Sequence, residues 1–584
     1  MTKINGAESS PEAGLIKLMR GVAGHKNVLT GSWRTERYRR GFRSGVGEAL
    51  AVVFPRTLLE QWEVLQGCVE AGAAIIMQAA NTGLTEGSTP NGYAYDRPVV
   101  VINTSKMDRI DLLDEGRQVL SFPGATLFKL EALLKPLGRQ PHSVIGSSCI
   151  GASVVGGVSN NSGGSLIRRG PAYTELALYA RVDEDGVLRL VNNLGIDLGG
   201  SPEEILGRLD RKDYRPSDVL SGGVASDHEY ASRVRDVNSA IPARYNADPR
   251  RLHGASGCAG KLSVFAVRLD TFESDGPEEV FYIGTNQAAV LTDLRRSILC
   301  TFQNLPIAGE YLHRAAFDIT QRYGKDTFVF IDMLGTKFMP RFFSVKGRLD
   351  ATLNRLAFLP ANLSDRVLQF ASDLWPEVLP KRLLQFRARF EHHLILKMSG
   401  EGIHEAKELL ASYFRQSDRG DWFACSADEG KKAFLHRFAA AGAAIRYANL
   451  NASRVGEVVA LDIALPRNMA SWEETLPQRL DAQCLEKLYY GHFFCHVFHQ
   501  DYLIRKGSDV RAFKEDLLRV LDERGAQYPA EHNVGHVYTA NPEVARHYRQ
   551  LDPTNTFNPG IGKMSKRRRF GCECHPEGLK AETC

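Results

Sequence analysis

No stretch of this 584-residue chain is apolar over the roughly 20 residues that a bilayer-crossing helix needs. The run Phe438-Ala-Ala-Ala-Gly-Ala-Ala-Ile445 stops at Arg446. Residues 1–31 hold no apolar core and no cleavage-like site, which argues against a secretory leader. The ten cysteines are scattered at 68, 149, 258, 300, 425, 484, 495, 572, 574 and 584, mostly in apolar surroundings. That usage suits a reducing cytoplasm and not a disulfide framework. The G-x-G-x-x-G fingerprint of a dinucleotide-binding βαβ unit is missing, so NAD held on such a unit is not indicated. Nor does one charge dominate: the net value is +5, so placement of charge matters more than its total.

What is present begins with length. At 584 residues the chain should form several domains, because single cores rarely grow past about 300 residues. A hydrophobic content of 43% and a charged content of 24% are those of an ordinary globular protein. The segment from Gln78 to Gly92 holds nothing larger than Gln, Glu or Leu and has glycines at 83, 87 and 92. It follows a short buried strand, Gly72-Ala-Ala-Ile-Ile-Met77. Such a loop is either a surface connection or a nest of main-chain N–H groups open to a pyrophosphate. A second small-residue segment, Gly146 to Gly164, favours the nest. Two such loops about seventy residues apart could close on one extended flavin dinucleotide.

Periodicity predicts a helix over 12–20, another over 57–70 after a Phe-Pro stop, and strands at 99–103 and 119–122. A short helix at 127–135 leads to the second glycine loop, and a hairpin turns at Asp183-Glu-Asp-Gly186. Residues 196–252 read as a polar, irregular insertion, and alternation returns at Cys258–Leu269. Strands near 280 and 308 flank a helix at 287–300, and His392-His-Leu-Ile-Leu-Lys397 resumes that texture.

The two glycine loops, with Ala51-Val-Val-Phe-Pro55 before them and Asp552-Pro-Thr-Asn-Thr-Phe-Asn-Pro-Gly560 near the end, resemble the FAD-binding fold of the vanillyl-alcohol oxidase/p-cresol methylhydroxylase superfamily. More narrowly, from about residue 30 to about residue 568, the chain resembles the family of bacterial respiratory, quinone-dependent D-lactate dehydrogenases. The strings Arg37-Tyr-Arg-Arg-Gly-Phe-Arg-Ser44, Pro141-His-Ser-Val-Ile-Gly-Ser-Ser148 and Tyr528-Pro-Ala-Glu-His-Asn-Val-Gly-His536 carry that resemblance. It implies an α+β architecture: a two-part FAD-binding domain, an α+β cap over the substrate, and a basic, mostly helical, membrane-contacting insert. The FAD domain would take 1–271 and 523–571, and the cap 272–313, 391–428 and 453–522. The insert would take 314–390 together with an active-site segment at 429–452, leaving a tail at 572–584. The implied FAD contacts fall on Ala79, Ala80, Asn81, Thr82, Gly83, Gly87, Ser88, Gly146, Ser153, Gly163 and Val264, with Gly260 nearby.

Between 341 and 390, nine Lys/Arg face four acids and are interleaved with Phe342, Phe343, Phe358, Phe370, Trp375 and Phe386. Composition alone allows an ordinary helical subdomain with a solvated basic face. The resemblance implies instead a patch that docks peripherally on an anionic membrane, on the cytoplasmic face of the inner membrane. No nucleic-acid motif accompanies the patch, so no nucleic-acid partner is expected.

Oxidation of a D-2-hydroxy acid needs a cation for the carboxylate, a base for the hydroxyl and an acceptor for the hydride. His532, beside Glu531 in a polar loop, is the candidate base, since the resemblance places a Glu-His pair there. In Gly491-His-Phe-Phe-Cys-His-Val-Phe-His499, helical spacing would put His492, His496 and His499 on one face. His492 and His499 with Glu531 could then hold a divalent metal, or the histidines could bind substrate directly. Related D-2-hydroxyglutarate and glycolate flavoenzymes embed the same His-x6-His spacing in Gly-His-x-Gly-Asp-Gly-Asn-x-His, and here Phe494-Cys-His-Val497 replaces their Gly-Asp-Gly-Asn core. Arg437 is the candidate carboxylate clamp, because a guanidinium binds a carboxylate in bidentate fashion. The relatives' second clamp, a Lys, would fall near Ala460 and is missing; Arg446 either compensates or forms a structural ion pair.

The resulting expectation is a peripheral flavoenzyme that oxidises D-lactate and hands electrons to quinone. The alternatives are a soluble FAD-dependent dehydrogenase of another acid such as D-2-hydroxyglutarate, and a flavin-retaining membrane adaptor without turnover. The Cys572-Glu-Cys574, His575 and Cys584 tail is either a metal site or unstructured.

Overall fold

The computed structural model describes residues 10–142, 150–334, 362–415 and 418–571. Gly146, the 341–361 part of the basic insert and the Cys-rich tail lie outside these residues.

Near the N-terminus, four strands order as Val28–Thr30, Ala51–Val53, Val99–Asn103 and Ala74–Gln78, the last three parallel. These strands are almost continuously apolar because both faces are covered. Ala51, Val53, Ile75, Val100 and Ile102 feed one core, while Val52, Ile76, Val99 and Val101 feed another. The helix Leu58–Glu70 starts where Thr57 accepts the N–H of Glu60, and it lays Trp62, Leu65 and Cys68 on the first core. A five-stranded antiparallel sheet follows, ordered Ile110–Leu113, Gln118–Ser121, Ser263–Asp270, Ala177–Val182, Leu188–Asn192.

The 196–252 segment is not the irregular insertion expected. It forms the helices Pro202–Arg211 and Tyr230–Arg235, and Leu206 and Leu209 complete the first core. Its apolar residues are few but placed on one side, which a reading of average polarity overlooks.

A seven-stranded antiparallel sheet dominates the second half, ordered Gly420–Ala424, Glu278–Thr285, His392–Ser399, Ala308–His313, Cys484–His492, Val497–Arg505, Val455–Ala464. One face packs on Ala288–Thr301, Gly402–Phe414 and Val510–Glu523. The other face meets Arg314–Tyr323, Lys381–Arg389 and the long helix Ala427–Leu450. Ser426 and Glu429 form a capping box at the start of that long helix.

The chain end returns to the first sheet: Phe557 bridges Ile75 in parallel, and Asn558 donates to the carbonyls of Gly87 and Ala259. Among the described residues no helix is long and apolar enough to cross a membrane.

Candidate active site

One cleft of about 1840 Å3 runs between the two glycine loops and under the seven-stranded sheet. Ala79, Ala80, Asn81, Thr82, Gly83, Gly87 and Ser88 line one side of it. Ser153, Gly163, Gly260 and Val264 line it as well, so every expected FAD contact among the described residues meets in one place. The N–H groups of Asn81–Thr85 donate to no acceptor among the described residues. Carbonyls of the same loop are occupied, that of Thr85 by the His536 N–H and that of Gly87 by Asn558. A run of consecutive open N–H groups in a loop of small residues suits an anion such as a pyrophosphate. Gly163 is required for another reason. A Cβ there would collide with the Arg244 guanidinium, which threads past to reach Glu531 at 2.8 Å.

The titratable groups are laid out on four adjacent strands. Glu310 stands directly opposite His492, and Tyr490 opposite His499, which in turn faces Asp462. The expected helix at 491–499 is not formed. His492 ends one strand, Phe493–Cys495 makes a single tight turn, and His499 lies on the next strand. Gly491 permits the hairpin, because a Cβ there would lie 2.4 Å from the Val497 carbonyl oxygen. His496 takes the left-handed conformation at the turn and its Nδ1 lies 3.0 Å from the Pro466 carbonyl oxygen. It therefore serves the turn, while His492 and His499 meet with ring centres 5.3 Å apart.

His492 sits between two carboxylates, with Nδ1 2.6 Å from Glu310 and Nε2 3.4 Å from Glu531. Burial opposes its charge, but the two acids overcome this and hold it up to about 10. Burial dominates at His499 and pushes it down to about 3, with Arg437 and His492 adding to the effect. Burial opposes the charge of the largely covered Glu531, yet His492 and Arg244 hold its carboxyl well below the ordinary range. Nitrogens of His492 and His499 and an oxygen of Glu531 lie within 4.8 Å of one another, a donor set that fits a divalent cation. Glu310 behind His492 is the outer-shell carboxylate such a site uses.

His532 pairs with Asp462, 3.0 Å from its Nδ1, and not with the neighbouring Glu531. The same Asp462 oxygen accepts the Glu531 N–H at 2.7 Å. Burial resists charging His532, but Asp462 raises it above its ordinary value. Arg437, on the long helix, reaches Glu310 at 3.0 Å and stacks over Tyr490, leaving its buried Nε unpartnered. Arg446 is held by Asp326 at 2.7 Å and Asp365 at 3.6 Å, the structural ion pair of the two readings.

Sequence reasoning passed over Glu310, Asp462, Arg244, Asp501 and Arg43. Arg43 lines the cleft, forms no hydrogen bond or ion pair with the described residues, and its charge acts on Asp501 and His532. Asp501 stands directly opposite Ala460, the position where the expected lysine is missing. The signal was present in Arg37–Ser44, a segment dense in arginine and poor in acids.

A family profile described as "D-lactate dehydrogenase, membrane binding" matches residues 280–570, and one described as "FAD binding domain" matches 49–190. The chain is 59% identical over 550 residues to the quinone-dependent D-lactate dehydrogenase of Escherichia coli strain K12, covering 94% of this chain and 96% of that one. The Haemophilus influenzae protein of the same description is 54% identical, covering 95% and 98%. The mitochondrial D-2-hydroxyglutarate dehydrogenase of Arabidopsis thaliana matches at 29% over 197 residues, a third of each chain. Among solved structures, p-cresol methylhydroxylase with substrate bound superposes with a TM-score of 0.58 at 13% identity, covering 96% of this chain and 98% of that one. That likeness shows the fold.

Proposed function

The chain belongs to the quinone-dependent D-lactate dehydrogenase family, and from that premise we propose how its own residues carry the reaction. The enzyme is a membrane-associated FAD oxidoreductase that oxidises D-lactate and passes the electrons to quinone. The observation that carries the reading is the meeting of an open-donor glycine nest with a buried histidine–carboxylate cluster in one cleft.

When bound, FAD supplies the hydride acceptor. His532 takes the hydroxyl proton at Nε2, while Asp462 holds Nδ1 and stabilises the imidazolium that forms. Arg437, oriented by Glu310 and Tyr490, receives the carboxylate from one side. Arg43 receives it from the mouth of the cleft, supplying the cation missing at Ala460. His492, His499 and Glu531 would hold a divalent cation, which would polarise the substrate hydroxyl.

Anaerobic bleaching of the bound flavin by D-lactate tests the reading, with L-lactate and D-2-hydroxyglutarate as comparisons. D-Lactate should bleach fastest; a flavin unmoved by it overturns the assignment.

Membrane attachment rests on exposed apolar residues beside basic ones. Val367, Phe370 and Leu374 stand 58%, 69% and 71% exposed along the helix Leu363–Asp373 and its end. Arg366 lies on the same helix, and Lys381 begins the next one along the chain. This composition favours an anionic leaflet, as on the cytoplasmic face. Co-sedimentation with phosphatidylglycerol vesicles but not phosphatidylcholine vesicles, weakened by salt, is the expected result.

A further inference from the structure

The long helix Ala427–Leu450 carries an apolar stripe that the chemistry of D-lactate does not use. Phe434, Phe438, Ala441, Gly442 and Ile445 recur at i, i+4, i+7, i+8 and i+11, and all five line the same cleft as Arg437. On the far side of the helix Ala440 and Ala444 are buried in the core, where Ala441 of the stripe also packs in part, while Phe438 and Ile445 stay out of it. Phe438 and Ile445 remain 38% and 39% exposed, where a soluble helix would present polar groups.

The two ends of the stripe have different neighbours. At its start Phe434 packs on Leu166, Ile307 and Ala308, beside the second glycine loop. Leu435, next to it, packs with Ile150 and Ile331. At the far end Asn449 donates to Asp365 at 2.7 Å, and Arg446 lies 3.6 Å from the same side chain. Asp365 belongs to the helix that exposes Val367 and Phe370. The stripe therefore leads from the redox end of the cleft to the surface assigned above to the membrane. From Phe434 to Ile445 the helix rises about 16 Å, enough for a quinone ring and the first part of its tail.

We propose that this stripe is the entry and docking groove for the membrane quinone, its planar ring seated near Phe434 and Phe438 and its isoprenoid tail running past Ile445. The inference rests on the D-lactate reading above and adds the site of the second substrate. The reaction balances without a further reactant. D-Lactate loses a hydride from C2 and the hydroxyl proton; the quinone gains two electrons and two protons and leaves as the hydroquinone. Hydrophilic acceptors need no such groove, which makes the two half-reactions separable.

The test uses the FAD-loaded full chain and the Phe438→Ser/Ile445→Ser variant, with Phe438→Leu as the conservative control. In the serine variant, flavin bleaching by D-lactate and turnover with ferricyanide should stay within about twofold of the unchanged protein, while the KM for ubiquinone-1 rises about tenfold. Vesicle co-sedimentation should be retained, and the leucine control should behave as the unchanged protein. An azido-benzoquinone should photolabel the 427–450 peptide of the unchanged protein, and excess ubiquinone-1 should suppress the label. Unchanged ubiquinone-1 kinetics, an equal fall with both acceptors, or a label on another segment would overturn the groove. Failure of D-lactate to bleach the unchanged protein would instead overturn the activity reading.

Discussion

His492, His499 and His532 share one cleft but are charged differently by their partners. Two carboxylates flank His492, burial is the largest influence on His499, and one carboxylate serves His532. A base must be unprotonated to act, and Asp462 holds His532 above its ordinary value. The kcat/KM for D-lactate should therefore rise with pH through a limb above about 6.5. Asp462→Asn removes the charge that favours the imidazolium, so that limb should move to lower pH while the maximum falls; a limb that stays put would dissociate His532 from the proton transfer. His532→Ala should cost about 10^3-fold in kcat with the flavin still bound. Arg43→Met should raise the KM for D-lactate about tenfold, a loss of one charge-assisted contact, with little change in flavin content. An unaltered KM would return the clamp to Arg437 alone. At this scale the sequence showed residue types but not pairings. His532 and Glu531 are adjacent in the chain, yet each found its partner elsewhere, His532 in Asp462 and Glu531 in Arg244.

Among the elements, the helix at 58–70, the strand at 99–103 and the hairpin around Gly186 were legible because each combines clear periodicity with a cap or turn residue. The histidine hairpin was not. Its turn holds Phe-Phe-Cys-His, with no Asn, Asp, Pro or Gly, and the i, i+4, i+7 histidine spacing mimics a helix. Tertiary support decided the matter, through the Pro466 carbonyl oxygen held near the His496 ring and the close approach at Gly491. On the long helix, the sequence singled out Arg437 as the clamp and left Arg446 open between a second cation and a structural ion pair; nine residues turn a helix by about half a circle beyond whole turns, so the two cannot share a face. Arg437 faces Glu310 and Arg446 faces Asp326. Arg446→Met leaves Asp326 buried without its counter-charge and should lower stability by about 3 kcal/mol. The D-lactate KM should be unaffected, whereas Arg437→Met should raise it with a smaller shift in melting temperature. The reverse pattern would exchange their roles.

Over the whole molecule, the two-part FAD domain closes because the chain end returns to strands laid down at the start, a long-range feature that periodicity does not reveal but that Asp552–Gly560 announced through family resemblance. The closure turns on Lys261, which is fully buried beside Val264 and the cleft. Its ammonium donates to Asn555 Oδ1 at 2.7 Å and to the Phe557 carbonyl at 2.8 Å, with Asp552 at 3.7 Å. Asp552 in turn accepts the N–H groups of Thr556 and Phe557, so one buried cation orders the whole returning loop. Burial lowers this lysine to about 8 although Asp552 opposes the shift, which measures how far the pair has been drawn from water. Lys261→Met removes the cation but keeps the stem, leaving the buried Asp552 carboxylate without its counter-charge and the Asn555 and Phe557 oxygens without their donor. A loss of about 3 kcal/mol is expected, seen as a lower melting temperature and as earlier release of FAD on dilution. Asp552→Asn in the same chain removes the stranded charge, so the double variant should be more stable than the sum of the single losses allows. Additive losses would mean that the loop is held by the Ile75–Phe557 pairing alone, and that the lysine is a passenger in the core it occupies.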